Sequence, residues 1–172
     1  MFQAPVSAFA RPLFRLGATT ILAALSLSAQ PQGNKAGEAA GRQSVQQALD
    51  ETRAALDRKD YDAAEKASLK ATAIDPRNQL AWSYLGWTYE KRGESLKAEA
   101  AYKSLVAINP RHATAYNSLG IIYQRMRRID DAIASYGKQI EVAPRNRYAP
   151  GNLASLMAMR GDWEELVQLP RT

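Results

Sequence analysis

Few side chains in this 172-residue sequence are suited to bond-breaking chemistry. It contains no Cys and one His, His112, which excludes thiolate nucleophiles, disulfide frameworks and Cys-based zinc ribbons. His112 would have to supply any catalytic imidazole alone. It follows Pro110-Arg111 at the start of an expected helix, where positive charge opposes the helix dipole, and it reads as a turn residue rather than a general base. Asp130-Asp131 is the corresponding candidate for a metal. Adjacent helical residues diverge by about 100°, so the two carboxylates do not converge on one ion, and acids at a helix start are favoured by the dipole alone. There is no G-x-S-x-G, no Walker-type loop and no metal-ligand spacing. These residues describe a non-enzyme: no catalytic residue, no cofactor, no metal and no small-molecule substrate.

Composition indicates the elements that must carry any function. There are 31 Ala against 10 Gly and 8 Pro, an excess that suits closely packed helices, because Ala is the best helix former. With 46% hydrophobic residues and a net charge of +6, the chain is neither disordered nor strongly polar as a whole.

The N-terminus has its own pattern. Met1 to Arg15 carries Arg11 and Arg15 and no acid, and Leu16 to Ala29 carries no charge at all. A basic start, a short apolar stretch and a small-residue exit describe a signal peptide over residues 1–29, cleaved after Ser28 or Ala29. The stretch is shorter than the roughly 20 residues of a membrane span. An uncleaved N-terminal segment is the alternative, and the one route by which the chain would associate with a membrane. The expected location is periplasmic or secreted.

Residues 111–147 hold Arg111, Arg125, Arg127, Arg128, Lys138, Arg145 and Arg147 against Asp130, Asp131 and Glu141. This excess suits an acidic partner or anionic lipid, or else a solvated face. No basic stripe interleaved with aromatics is present, so nucleic acid is not expected.

Residues 30–43 are Gly/Ala/polar and read as a flexible linker. Beyond them the chain repeats every 34 residues. Asp75-Pro76-Arg77-Asn78, Asn109-Pro110-Arg111-His112 and Ala143-Pro144-Arg145-Asn146 mark the turns. Between them Trp82-x-x-Leu85-Gly86-x-x-Tyr89 returns as Tyr116-x-x-Leu119-Gly120-x-x-Tyr123, Ala64, Ala98 and Ala132 recur in register, and Tyr102 is echoed by Tyr136. This pattern resembles the tetratricopeptide repeat, here of an exported bacterial kind, over residues 45–169. It divides the chain into repeat 1 (44–78), repeat 2 (79–112), repeat 3 (113–146) and a partial repeat 4 or C-terminal cap (147–172).

The expected fold is therefore all-α, an α-solenoid of antiparallel helix pairs, about three and a half repeats long. Repeat 2 should form helices over Gln79–Lys91 and Ser95–Ile108. Trp82, Leu85 and Tyr89 fall at i, i+3 and i+7, one stripe of a helix, so Trp82 should be buried. Gly86 should allow close approach beside Ala98, and Gly93 should supply a left-handed cap. Ser44-Val-Gln-Gln47 has capping-box spacing, which starts the first helix at Ser44. In the last unit, Trp163 and Leu166 should face inward on a short eighth helix.

The resemblance further implies that the first helix of each pair lines a concave surface that binds a peptide or a partner's helix. Its off-stripe residues are Arg53, Tyr84, Trp87, Glu90, Asn117, Ile121, Gln124, Tyr148 and Asn152, joined by Ser83, Ser118 and Ser155. Asn117 and Asn152 suit the backbone of an extended peptide. One subgroup of the family grips a C-terminal carboxylate with a basic clamp; the matching sites here hold Leu49, Arg53, Ser118, Tyr148 and Asn152, so that clamp is mostly missing and an acidic chaperone tail is not the expected ligand. The function implied is a non-catalytic interaction module for a protein or peptide. The alternative is an accessory subunit of an envelope complex or partner enzyme, docking through repeat edges and charge.

Overall fold

Proline turns and local caps, spaced 34 residues apart, set where each helix stops and the next begins. The computed structural model describes residues 35–146 and 149–162. Among these residues it forms seven α-helices and no strand: α1 (Lys35–Asp57), α2 (Tyr61–Ile74), α3 (Gln79–Arg92), α4 (Ser95–Ile108), α5 (Ala113–Arg125), α6 (Ile129–Val142) and α7 (Ala149–Arg160). The architecture is an all-α solenoid of successive helix pairs. No helix among the described residues is long and apolar enough to cross a membrane. The expected signal peptide, Trp163, Leu166 and the short eighth helix lie outside the described residues.

The first helix starts earlier than expected. α1 begins at Lys35, so residues 35–43 are helical rather than a flexible linker. Three alanines, Glu38 and Arg42 are good helix formers, Glu38 sits in the first turn where the dipole favours an acid, and no proline interrupts them. Ser44 lies inside this helix, and its hydroxyl donates to the Ala40 carbonyl at 2.9 Å instead of capping an N-terminus. Gln46 and Gln47 likewise bond forward along the helix, to Asp50 and Glu51.

Each turn between repeats is built from the same parts. Asp75, Asn109 and Ala143, each before a proline, leave helical geometry with φ of −130°, −132° and −139°, as the proline ring requires. Three residues on, Asn78 Oδ1, His112 Nδ1 and Asn146 Oδ1 accept the backbone N–H of Ala81, Ala115 and Ala149. His112 is thus an N-cap of α5, a role open only to a ring nitrogen without a proton. The turn inside each pair also repeats. Lys59, Gly93, Arg127 and Gly161, 34 residues apart, all have left-handed φ, of 60°, 75°, 60° and 91°. The following N–H reaches back to the carbonyl of Ala55, Tyr89, Tyr123 or Met157 in the same way at all four, the pattern that closes a helix with a left-handed residue.

Packing inside each pair depends on one slot. A Cβ on Gly86 would lie 2.9 Å from the Tyr102 ring, and one on Gly120 would lie 2.6 Å from Tyr136. The side chain against Gly86 is therefore Tyr102, and Ala98 is not what fills the space there. In repeat 1 the equivalent positions are Thr52 and Ser68, both fully buried, with Ser68 Oγ donating to Thr52 Oγ1 at 3.4 Å. Two small polar residues bonded to each other thus stand in repeat 1 where a glycine and a tyrosine ring meet in repeats 2 and 3. Each tyrosine's hydroxyl continues to the first helix of its pair, donating to Glu90 at 3.3 Å or Gln124 at 2.9 Å.

Between pairs, Tyr89 donates to Glu65 and Tyr123 to Glu99. Arg92 pairs with Glu65 and Arg128 with Glu99, so each rung joins one repeat to the next. The frame position of Glu65 and Glu99 holds Ile133 in repeat 3, and there the buried Met157 stands where the tyrosines do. Trp82 is half-buried rather than buried, because its indole N–H donates to the Pro76 carbonyl at 2.9 Å in the turn. Tyr116 makes the same link to Pro110.

Candidate functional site

The first helix of each pair (α1, α3, α5, α7) carries the residues expected to meet a partner, and the structure sorts them into three groups. Tyr84 is half-buried and packs against both small core clusters of repeat 1, so its ring holds the fold together. Glu90 and Gln124 accept the Tyr102 and Tyr136 hydroxyls, and Arg125 approaches Glu90 at 3.9 Å. At the clamp-equivalent positions, Leu49 and Ser118 are buried in the core. Arg53 is exposed and pairs with Asp50 at 2.8 Å. Tyr148 lies outside the described residues.

Trp87 forms the second group by itself. The residue is 38% exposed, while Leu85, Gly86, Thr88 and Tyr89 around it are buried. Five residues beyond Trp82, it stands about 140° around the helix from the core stripe. Lys91, one turn later, places its ammonium 5.3 Å from the ring centroid, which keeps one face of the indole in an electropositive setting.

Asn117, Ile121 and Asn152 form the third. Together with Thr114, Gln139 and Asn146 they line a cleft of about 360 Å³ bounded by α5, α6, the turn after α6 and α7. Ile121, the frame equivalent of Trp87, is half-buried: one side packs on the main core and another lines the cleft. Among the described residues, none of the six that line it is ionisable. Asn117 and Asn152 are half-buried, placed to donate and accept at once.

Gln139 was not foreseen as part of a site. It lies on α6, outside the first helices, at the frame position of Ala71 and Leu105. A polar residue in a buried apolar register is the signal that points to it. No group of three or more His, Asp or Glu side chains poised to hold a metal ion occurs among the described residues.

Of the seven basic residues in 111–147, Arg128 pairs with Glu99 and Asp131, Lys138 with Glu141, and Arg125 approaches Glu90. Much of that local excess is thus balanced by contacts within the fold.

Comparison with known proteins places these features. Two stretches match the tetratricopeptide repeat, residues 67–100 and residues 113–146. The second coincides with repeat 3, and the first runs from the middle of α2 into α4. Among solved structures, the chain is similar to MamA at 25% identity, with a TM-score of 0.69 and 78% of each chain covered. It is similar to the first TPR of Spaghetti bound to the HSP90 peptide SRMEEVD at 20% identity, with a TM-score of 0.65, over 69% of this chain and 94% of that one. The Sgt2 TPR domain from Aspergillus fumigatus matches at 22% identity, with a TM-score of 0.62, over 74% and 86%. No sequence among the curated proteins matches significantly.

Proposed function

We propose that this chain, a tetratricopeptide-repeat protein, is a non-catalytic interaction module that binds a peptide segment of a partner protein along the face formed by α3, α5 and α7. The observation that carries this reading is Trp87. A large indole stands exposed on a helix whose neighbouring residues are buried, and aromatic anchors of this kind dominate binding energy at interfaces. Peptide binding by similar solved domains, such as the first TPR of Spaghetti, supports the class of ligand and does not identify it. The second reading, an accessory subunit docking through repeat edges, draws on Leu96 of α4 and Met159 of α7, which are 71% and 70% exposed.

The test compares two tryptophans. Peptides selected from a displayed random library against the folded protein are titrated into wild type, Trp87→Ala and Trp82→Ala. Trp87→Ala should weaken binding by about 2 kcal/mol or more, the scale of an interface hot spot, and change stability by no more than about 1 kcal/mol. Trp82→Ala should lower stability by more, because it removes core contacts and the bond to Pro76 together. Selected peptides that bind Trp87→Ala as tightly as wild type would overturn the assignment of this face.

The proposal includes export through residues 1–29, supported by the Arg-flanked apolar stretch. Sequencing the N-terminus of the mature protein should find cleavage after Ser28 or Ala29; an intact Met1 form confined to the cytosol would contradict it.

A further inference from the structure

In each later repeat the first helix receives the second helix of the repeat before it: α2 packs on α3, α4 on α5 and α6 on α7. On α3, Tyr89 and Arg92 reach α2, and Thr88, one turn before Arg92, is fully buried beside them. Its frame equivalents Ile122 and Leu156 are fully buried too. In repeat 1 that position holds Ala54, which is exposed. Ala54 and Ala55 of α1, with Ala63 and Ala67 of α2, line a groove of about 730 Å³ there. Arg58, Lys66 and the ion pair of Glu51 with Lys70 form its polar rim. A polar outer edge is what keeps a terminal repeat soluble, but the alanines between these charges have the placing of a helix seat.

Charge follows a rule across the covered junctions. Arg92 pairs with Asp62 and Glu65 of the preceding second helix, and Arg160 pairs with Asp130 of the helix before it. At the junction between them the same two positions hold Leu96 and Met126, apolar on both sides. Arg58 occupies the frame position of Arg92 and Arg160. It is exposed, and among the described residues no carboxylate lies within ion-pair distance of Arg58 or Lys66. By the same rule, a helix crossing repeat 1 meets Arg58 with an acid. Residues 1–34 contain no Asp or Glu and carry Arg11 and Arg15, so the stretch ahead of α1 does not supply one.

We propose that this groove docks an amphipathic α-helix of a partner protein, lying across α1 and α2 as α2 lies across α3. Its apolar side rests on the alanines, and two acids three residues apart, spaced as Asp62 and Glu65 are, meet Arg58 and Lys66. The surface belongs to α1 and α2 and goes beyond the peptide-binding face of α3, α5 and α7.

The experiment titrates the nitrogen-15-labelled full chain with three lactam-stapled helical peptides of the length of α2. They share one leucine-and-alanine side and differ only at two positions three apart, which hold Asp and Glu, Asn and Gln, or two lysines. The acidic helix should bind at least about fivefold tighter than the amide one, the scale of partly exposed ion pairs, and the lysine helix weakest. It should shift the backbone amides of Ala54, Arg58, Ala63 and Ala67, leave the Trp87 indole resonance in place, and slow hydrogen exchange in α1 and α2. Arg58→Glu should erase the preference for acid, whereas Arg111→Glu, the same change of net charge at the turn before α5, should keep it. Ala54→Tyr, at an exposed position, should fold and weaken all three helices by filling the groove. Equal binding of the acidic and amide helices, binding by none, shifts centred on Trp87, or equal effects of Arg58→Glu and Arg111→Glu overturn the proposal. Sedimentation of the full chain alone tests the other occupant: self-association that Arg58→Glu abolishes would give the groove to a second copy and overturn it as well.

Discussion

Lys59 and Arg127 hold left-handed backbone with φ of 60° at both, a conformation that costs a residue with a Cβ about 1–2 kcal/mol. Gly93 and Gly161 occupy the other two positions of the same frame. Both non-glycine side chains are exposed, so replacing them removes little packing. Lys59→Gly and Arg127→Gly should each stabilise the protein by about 0.5–1 kcal/mol, after the extra unfolded-state entropy of glycine is subtracted. Thermal melts of the two single variants and the double variant check this, and a loss of stability in either single variant would contradict it. At this scale legibility followed residue type. Gly93 announced its cap, because glycine at a helix end has few other uses, while Lys59 and Arg127 announced nothing. Trp82 was visible as a stripe residue, but its indole N–H needs an acceptor and finds one in the turn, which keeps the ring half-buried. Gln139 was not legible, because it lies on α6, a second helix, and the repeat pattern assigns the partner face to the first helix of each pair.

Pairs of helices are joined by rungs of the form tyrosine, glutamate, arginine, and the most buried rung is the one at Glu99. Lys103 lies 2.6 Å and Arg128 2.9 Å from its carboxylate, Tyr123 donates to it at 3.2 Å, and the Arg128 guanidinium rests 4.5 Å from the Tyr123 ring centroid. Burial pushes the Glu99 carboxyl up, but the hydrogen bonds from Lys103 and Arg128 outweigh it and hold the group below its ordinary value of 4.5. Burial and the Glu99 charge both push the Tyr123 hydroxyl up, so it remains a donor to the carboxylate. A carboxyl depressed in the folded state contributes stability that is fully present above pH 4.5 and lost as pH falls through the folded value. Glu99→Gln should therefore lower stability at pH 7 by about 1–2 kcal/mol, allowing for the exposed ends of its partners, and should show a smaller further loss than wild type between pH 5 and pH 3. Melting both proteins across that range checks the sign; equal acid sensitivity would refute it. Helix ends at this scale were legible wherever proline or a left-handed glycine stood. The start of α1 was not, because nothing in residues 35–43 forbids or requires a helix, and good formers simply extend the one that follows.

Across the whole solenoid, stability is unevenly distributed. The main core runs through repeats 2, 3 and 4 and is built from large side chains, among them Leu85, Tyr89, Tyr102, Leu105, Leu119, Ile122, Tyr123, Tyr136, Leu153 and Leu156. Repeat 1 has two smaller clusters, Val45, Ala48, Leu49 and Ala71 with Ala81 from α3 in one and Ala55, Leu56 and Ala64 in the other. Alanine methyls bury little area, and each Å² of apolar surface is worth only about 25 cal/mol. What ties repeat 1 to its neighbour is one aromatic ring, Tyr84 of α3 packed on both clusters, together with a polar rung: Tyr89 to Glu65, and Arg92 to Asp62 and Glu65. Asp62 is exposed, and exposed ion pairs add about 1 kcal/mol or less. In a repeat array, stability is close to a sum of unit and nearest-neighbour contributions, so the unit with the weakest sum opens first. Native-state hydrogen exchange should then show the amides of α1 and α2 opening at least about tenfold more often than those of α4 and α5, in a step separate from global unfolding. Lys59→Gly should slow exchange in α1 and α2 more than in α5, because the strain it relieves lies in the turn between them. Uniform protection from α1 to α6, or first opening in α5, would contradict this account and would mean that the polar rung between repeats 1 and 2 couples them as strongly as the large-residue core couples the rest.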